Sequence, residues 1–283
     1  MFATIMVPAL GDGSDQAALN MAMLFGQAFG SHVDFVRIHT PVRAEAGELE
    51  AYTPFGYIDD SYVKLLQRAD AEMTERANEA FAKARLTHKA RDCTDPEGRG
   101  ELTIGRLEFP GSSKLVTQAR YYDLIVTAGG PEGRATDLVV ESGRPVLLAP
   151  AKAPESVART VAIGWKETAE AARAVTAAMP LLCKAERVVV IAANEIDGGA
   201  TQTAQSANRL AAQLAWHGIK AEPHSILSHS RPAQDAVLDM AAEVHADVLV
   251  MGAYGHSRTT EFIFGGFTRH VLHNETLPVF LMH

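Results

Sequence analysis

Three landmarks occur twice along this chain, in the same order. Thr4-Ile-Met-Val-Pro-Ala-Leu-Gly leads into an Ala/Met/Leu-rich helical stretch, and Thr160-Val-Ala-Ile-Gly-Trp leads into an Ala-rich one. Ala119-Arg-Tyr-Tyr-Asp-Leu-Ile-Val-Thr-Ala-Gly-Gly is echoed by Val244-His-Ala-Asp-Val-Leu-Val-Met-Gly-Ala. Arg144-Pro-Val-Leu-Leu-Ala is echoed by Leu277-Pro-Val-Phe-Leu-Met. A period this long is a duplicated domain, not a short solenoid repeat. At roughly 100–200 residues per domain, 283 residues also favour two domains. The Pro/Ala-rich stretch Ala149–Pro154 is a natural linker. The expected units are therefore 1–150 and 157–283.

Each half alternates short β-branched runs with helical periodicity. Strands are expected at Ile5–Val7, Val33–His39, Leu102–Leu107, Leu124–Ala128 and Val146–Leu148 in the first half. In the second they are expected at Val161–Gly164, Arg187–Ala193, Ala221–Leu227, Val248–Met251 and Val279–Leu281. Helices are expected at Gln16–Phe29, Tyr62–Ala84 and Ser113–Tyr121, then Ala169–Leu182, Thr203–His217 and Ala233–His245, with Ser112, Thr168 and Thr201 as caps. Apolar strands alternating with helices imply an α/β protein: a doubly wound, mainly parallel sheet covered on both faces in each half. Ligands of such sheets sit beyond the carboxyl ends of the strands.

The halves differ in two places. The first carries 32 extra residues between its first and second landmarks, assigned to Arg43–Lys89. That segment holds an acidic, aromatic stretch (Glu45, Glu48, Glu50, Tyr52, Phe55, Tyr57, Asp59, Asp60) and an unusually long helix. The second half is longer by nine residues between its Asp and Pro landmarks. The first half lacks nine residues of the glycine loop and its following helix, no glycine-plus-hydroxyl pair follows at the right spacing, and Asp137 and Glu141 there would repel phosphate.

In the second half this region reads MGAYGHSRTTEFIFGGFT, from Met251 to Thr268. Gly252 and Gly255 follow an apolar strand. Gly265, Gly266, Phe267 and Thr268 open what reads as a helix. Glycines let backbone N–H groups approach a ligand closely, and a hydroxyl with free N–H groups at a helix start suits a phosphate. Arg258, His256 and Arg269 add positive charge nearby. Trp165, at a strand end, is a candidate wall of the same pocket.

This pattern resembles the ATP-binding motif of the universal stress protein family: a strand, Gly-x-x-Gly, nine residues, Gly, then a nearby Ser/Thr. Gly252, Gly255, Gly265 and Thr268 match it. The resemblance covers both halves, so the chain looks like a tandem universal stress protein. It implies a five-stranded fold of the adenine nucleotide alpha hydrolase-like kind in each half. It implies an adenine nucleotide as ligand: ATP, or ADP or AMP, with or without Mg. It also implies pairing of the last strands, Val146–Leu148 with Val279–Leu281, into an internal pseudo-dimer, with further pairing into a homodimer left open. A stress-response role as sensor or regulator, with an unidentified protein partner, follows from the same resemblance. Two departures stand out. Gly266 occupies the position after the third glycine, where the family often has a hydroxyl. Lys166 and Leu10 occupy the positions where its nucleotide binders usually carry an acid, and Glu167 or Asp12 substitutes only if the loop shifts.

Other chemistries find little support. There is no Walker motif, and Gly11-Asp12-Gly13 lacks the third glycine of a dinucleotide fingerprint. No pair of residues offers a water-orienting group and a Mg²⁺ ligand, so hydrolysis is expected to be slow at most. His270 and His273 are i, i+3 and could share a helix face, and His224 and His229 flank a strand end, but the chain has no H-E-x-x-H and no Cys pair at metal spacing, so surface or partly buried histidines are the better reading. A net charge of −8 argues against a nucleic-acid partner. Cys93 and Cys183 read as reduced thiols, and no apolar run approaches a membrane span. The start, MFATIMVPALG, lacks a basic n-region. A cytoplasmic location is expected. The competing reading is a protein that binds no nucleotide and works through the acidic Glu45–Asp60 surface of a pseudo-dimeric scaffold.

Overall fold

A computed structural model describes residues 1–39, 60–93, 95–110, 114–129, 134–194, 200–228, 232–253 and 276–283. The first half contributes β1 (Thr4–Pro8), α1 (Asp15–Phe29), β2 (His32–His39), α2 (Asp60–His88), β3 (Arg91–Asp92), β4 (Thr103–Pro110), α3 (Leu115–Ala119), β5 (Leu124–Ala128), α4 (Arg134–Glu141) and β6 (Val146–Ala149). The second contributes β7 (Thr160–Gly164), α5 (Ala169–Lys184), β8 (Arg187–Asn194), α6 (Ala200–Ala215), β9 (Ala221–Leu227), α7 (Ala233–Glu243), β10 (Val248–Gly252) and β11 (Val279–Met282).

All these strands join one 11-stranded sheet in the order β3-β4-β2-β1-β5-β6-β11-β10-β7-β8-β9. The order is a near-palindrome. Each half winds outward through its first three major strands, then returns to the other side of its first strand. The topological switch points therefore fall between β1 and β5, and between β7 and β10. Every pairing is parallel except the seam, where β6 and β11 run antiparallel with Leu147 opposite Phe280. That is the pairing expected of the last strands.

The register explains the burial. Successive strand residues face opposite sides, so Ile5, Val7, Val161, Ile163, Val248 and Val250 enter one apolar layer, shared with α1, α5 and α6. Met6, Ala162, Leu249 and Met251 enter the other, against α4 and α7. The first layer runs across the seam. Phe2 lies 6.0 Å from Phe280, ring centre to ring centre, and Lys184 Nζ sits 5.5 Å over the Phe29 ring.

The repeated Asp landmark has one job in both halves. Asp123 Oδ2 accepts the N–H groups of Ala3 and Thr4. Asp247 Oδ2 accepts those of Arg159 and Thr160, and the Ser156 hydroxyl. Each carboxylate thus caps the start of its half's first strand, where the backbone donors have no ladder partner.

Three expectations need correction. The expected elements include no helix between Leu124–Ala128 and Val146–Leu148, yet α4 fills this shortened connection. Ala135, Leu138 and Val139 are buried at helical spacing, which is enough to hold two turns against the sheet. The first half has six strands rather than five, because Arg91–Asp92 adds a short edge strand beside β4. Thr201 lies within α6 rather than capping it, whereas Thr168 does cap α5, accepting the Ala171 N–H at 3.3 Å. Ser112 lies outside the described residues, as does nearly all of the acidic Glu45–Asp60 stretch.

Candidate functional site

The carboxyl end of the second half's sheet is built at the β7/β10 switch point, where Met251 sits opposite Gly164. Immediately after β7, the Trp165 N–H is donated to Ile191 O of β8 at 2.8 Å, which carries the strand direction one residue further. The indole then turns toward α6, and its Nε1–H is donated to Ser206 Oγ at 2.9 Å. Lys166 and Glu167 are exposed, and α5 begins after them.

Gly252 ends β10 directly under that helix start. A Cβ at this position would lie 2.5 Å from the Ala171 nitrogen and 2.7 Å from the Glu170 carbonyl carbon. Close approach of helix to strand is therefore one sufficient reason for a glycine here, independent of any ligand. Ala253 continues the contact. Its N–H is donated to Met282 O at 2.9 Å, and its carbonyl lies 3.1 Å from His283 Nδ1.

The first turn of α5 is already supplied with acceptors. Glu170 is held below the usual carboxylate range, first by a backbone hydrogen bond at its own N–H. The Thr168 hydroxyl and the charges of Arg173 and His283 act in the same direction. A negative side chain at a helix start is stabilised by the helix dipole.

Beside Trp165 lies an open groove of about 380 Å³, lined by Trp165, Glu167, Ser206, Arg209, Leu210 and Gln213, with Ala212 at its margin. A second hollow of about 460 Å³ continues along α6 past Thr201, Gln202 and Gln205. Glu167, Ser206 and Arg209 line both. Glu167 Oε1 and Arg209 Nη1 face each other at 3.8 Å across the groove. Ser206, Arg209, Leu210 and Gln213 form one helical stripe at i, i+3, i+4 and i+7. That spacing was visible in the sequence, but nothing there indicated which element the stripe would face.

Of the residues singled out from sequence, the structure describes Trp165 and Gly252 and places them on adjacent strands' ends. Gly255, His256, Arg258, Gly265, Gly266, Phe267, Thr268 and Arg269 lie outside the described residues. Lys166, at the family's acid position, does not line the groove; its neighbour Glu167 does. Among the described residues no group of His, Cys, Asp or Glu could hold a metal ion, and no helix is long and apolar enough to cross a membrane.

The first half's equivalent end is covered by its own chain. α2 has 29 residues against 16 in α6. Gly11, at φ 69°, is pressed against the Met73 backbone, where no Cβ would fit. Arg76 Nε donates to Gly11 O at 2.7 Å. Arg37, buried at the end of β2, donates through Nη2 to Asp70 Oδ1 at 2.6 Å. Asp15, 2% exposed, accepts the N–H groups of Leu10 and Gly11. The turn after β1 is thus tied from within by Asp15 and from outside by α2.

A sheet of this order with helices on both faces defines a doubly wound α/β protein built twice over. Residues 184–283 match the model of the Universal stress protein family. The match begins at the last residue of α5, so it contains the glycine loop but not Trp165. No curated protein matches the chain. Among solved structures, a universal stress protein from Archaeoglobus fulgidus is similar over 99% of this chain and 95% of its own, at 15% identity and a TM-score of 0.67. Two structures from Pseudomonas aeruginosa, one of a functionally unknown protein, reach TM-scores of 0.56 and 0.55, each at 15% identity over 99% of this chain. They cover 93% and 92% of their own chains. At that identity the likeness is one of fold, and it extends over the whole tandem arrangement.

Proposed function

We propose that the chain is a tandem universal stress protein that binds an adenine nucleotide in its second half and acts in the cytoplasm as a nucleotide-dependent sensor. Its units are 1–150 and 157–283. The observation that carries this reading is positional. Gly252, the first glycine of the Gly-x-x-Gly…Gly…Thr pattern, ends β10 at the switch point beside β7, where doubly wound sheets take their ligands. Gly255, Gly265, Gly266, Phe267 and Thr268 would cradle the phosphates of ATP, ADP or AMP with backbone N–H groups and a hydroxyl. His256 and Arg258 would add charge, and a Mg²⁺ ion would be carried by the phosphates. Glu167, rather than Lys166, would supply the acid facing the nucleoside, because Glu167 lines the groove.

The test is a Gly255→Val variant, which puts a branched side chain where the phosphate approaches. ATP at a hundredfold excess over its dissociation constant stabilises a binding protein by about 2.7 kcal/mol. The wild type should show that shift in thermal unfolding and the variant should not. Equal shifts would place the nucleotide elsewhere.

A second reading is favoured by one observation, the covering of the first half's strand ends by α2. A half closed in this way works as a scaffold surface. On this reading the chain binds an unidentified protein partner, or a second copy of itself, and no nucleotide.

A further inference from the structure

We propose that the outer face of α2 pairs with α2 of a second copy of this chain, antiparallel and about a twofold axis. Such pairing is independent of whether the second half holds a nucleotide.

α2 turns Ala77, Ala80 and Ala84 toward the sheet, and all three are buried. At about 100° per residue, the line on the opposite side of the helix runs through Lys64, Arg68, Ala71, Glu75, Glu79 and Ala82. All six are exposed. The charges along this line are sorted by sign, with two cations near the helix start and two carboxylates further on. Among the described residues, none of Lys64, Arg68, Glu75 and Glu79 takes part in an ion pair. α6, the equivalent helix of the second half, carries Arg209 as its one charged residue. The fold itself therefore does not require the pattern.

The step from Lys64 to Arg68 equals the step from Glu75 to Glu79, about 6 Å along the axis. In an antiparallel pair, Lys64 of one copy faces Glu79 of the other while Arg68 faces Glu75, and the twofold axis repeats both contacts. Parallel pairing sets Lys64 against Lys64 and Glu79 against Glu79. Like charges in contact are costly, so the sign pattern selects the antiparallel arrangement. The axis falls beside Ala71, between the two pairs, where a methyl side chain lets the helices approach closely. Exposed ion pairs are individually weak, so charge sets the register and the pairing is sensitive to salt.

Sedimentation of the full chain over a concentration series tests the pairing, with two charge-reversed variants. One carries Lys64→Glu and Arg68→Glu, so that all four charges of the line are negative. The other carries Glu75→Lys and Glu79→Lys, so that all four are positive. The positions are exposed and face away from the sheet, and thermal unfolding of each variant checks that it folds. The wild type should form dimers that dissociate as ionic strength rises from about 0.01 M to about 1 M and the screening length falls from about 30 Å to about 3 Å. Each variant alone should dimerise about tenfold or more weakly than the wild type. An equimolar mixture should restore dimers of one copy of each, because every contact of the mixed pair again joins opposite charges. A wild type that stays monomeric at low ionic strength overturns the proposal. So does a dimer that either reversal leaves equally tight, which would place the interface on another face, or a mixture that stays monomeric.

Discussion

The Trp165 indole donates its N–H to the Ser206 hydroxyl across 2.9 Å, joining the turn after β7 to α6. Ser206 is buried and Trp165 half-buried, so removing the hydroxyl leaves a part-buried indole donor unpaired. Ser206→Ala should cost about 1–2 kcal/mol in urea unfolding. Trp165→Phe, which removes the donor and leaves the Ser206 hydroxyl without its indole partner, should cost less in hydrogen bonding and more in packing. A loss below a few tenths of a kcal/mol in Ser206→Ala would mean that water satisfies the indole.

Asp247 should matter more than its repeat counterpart. Its carboxylate oxygen Oδ2 accepts three donors, one of them the buried Thr160 N–H. Asp123 accepts two, and Ala3 is exposed. Asp247→Ala should destabilise by about 3 kcal/mol and Asp247→Asn by about 1, because the amide oxygen still accepts. Asp123→Ala should cost about half as much as Asp247→Ala. Equal losses in chemical denaturation would contradict this ranking.

These two aspartates also show how far the sequence could be read. Their spacing exposed the duplication, and strand and helix positions followed from period and β-branching, because each element buries a face whose pattern is local. The α4 helix was invisible from length comparison, since a nine-residue deficit says nothing of how the remaining residues fold. The attachment of α2 to the turn after β1 was also hidden. Arg37–Asp70 and Arg76–Gly11 join residues 33 and 65 positions apart, and neither pair forms a motif. At the candidate site, Trp165 and Gly252 were legible as strand ends. The α6 stripe facing Trp165 was not, because which helix covers a strand end is a property of the assembled sheet.

Gly252 separates packing from ligand binding. Gly252→Ala places a methyl group against the backbone of Glu170 and Ala171, and backbone cannot rotate aside. The variant should lose about 1–3 kcal/mol of stability without any nucleotide present. Gly255→Val should instead abolish the stabilisation that ATP brings. Thermal unfolding of both variants, with and without ATP, distinguishes the two glycines. Wild-type stability in Gly252→Ala would refute the packing role.

Asp15 should give a pH signature to the first half. Burial pushes its carboxyl above the usual value, against the hydrogen bonds from Leu10 and Gly11. The neighbouring Asp12 raises it further and Arg37 lowers it. Below the ordinary carboxylate pKa of about 3.9 the group is neutral in both folded and unfolded chains. As pH rises, the unfolded chain releases its proton first, so the folded state loses relative stability until pH passes the raised folded value. Asp15→Asn cannot titrate. Plotted against pH, the stability difference of wild type minus variant should fall from about pH 4 and level once pH passes the raised folded value. A flat difference would show that the hydrogen bonds fully offset burial.

The central claim is that one adenine nucleotide sits in the second half while α2 closes the first. Its most direct measurement is mass spectrometry and quantitation of small molecules released by denaturing the purified full chain, after saturation with ATP and removal of excess. The account predicts ATP, ADP or AMP at about one per chain, falling to none in Gly255→Val. Two per chain would contradict the closure of the first half, and a chain that releases no nucleotide and is not stabilised by ATP would contradict the function itself.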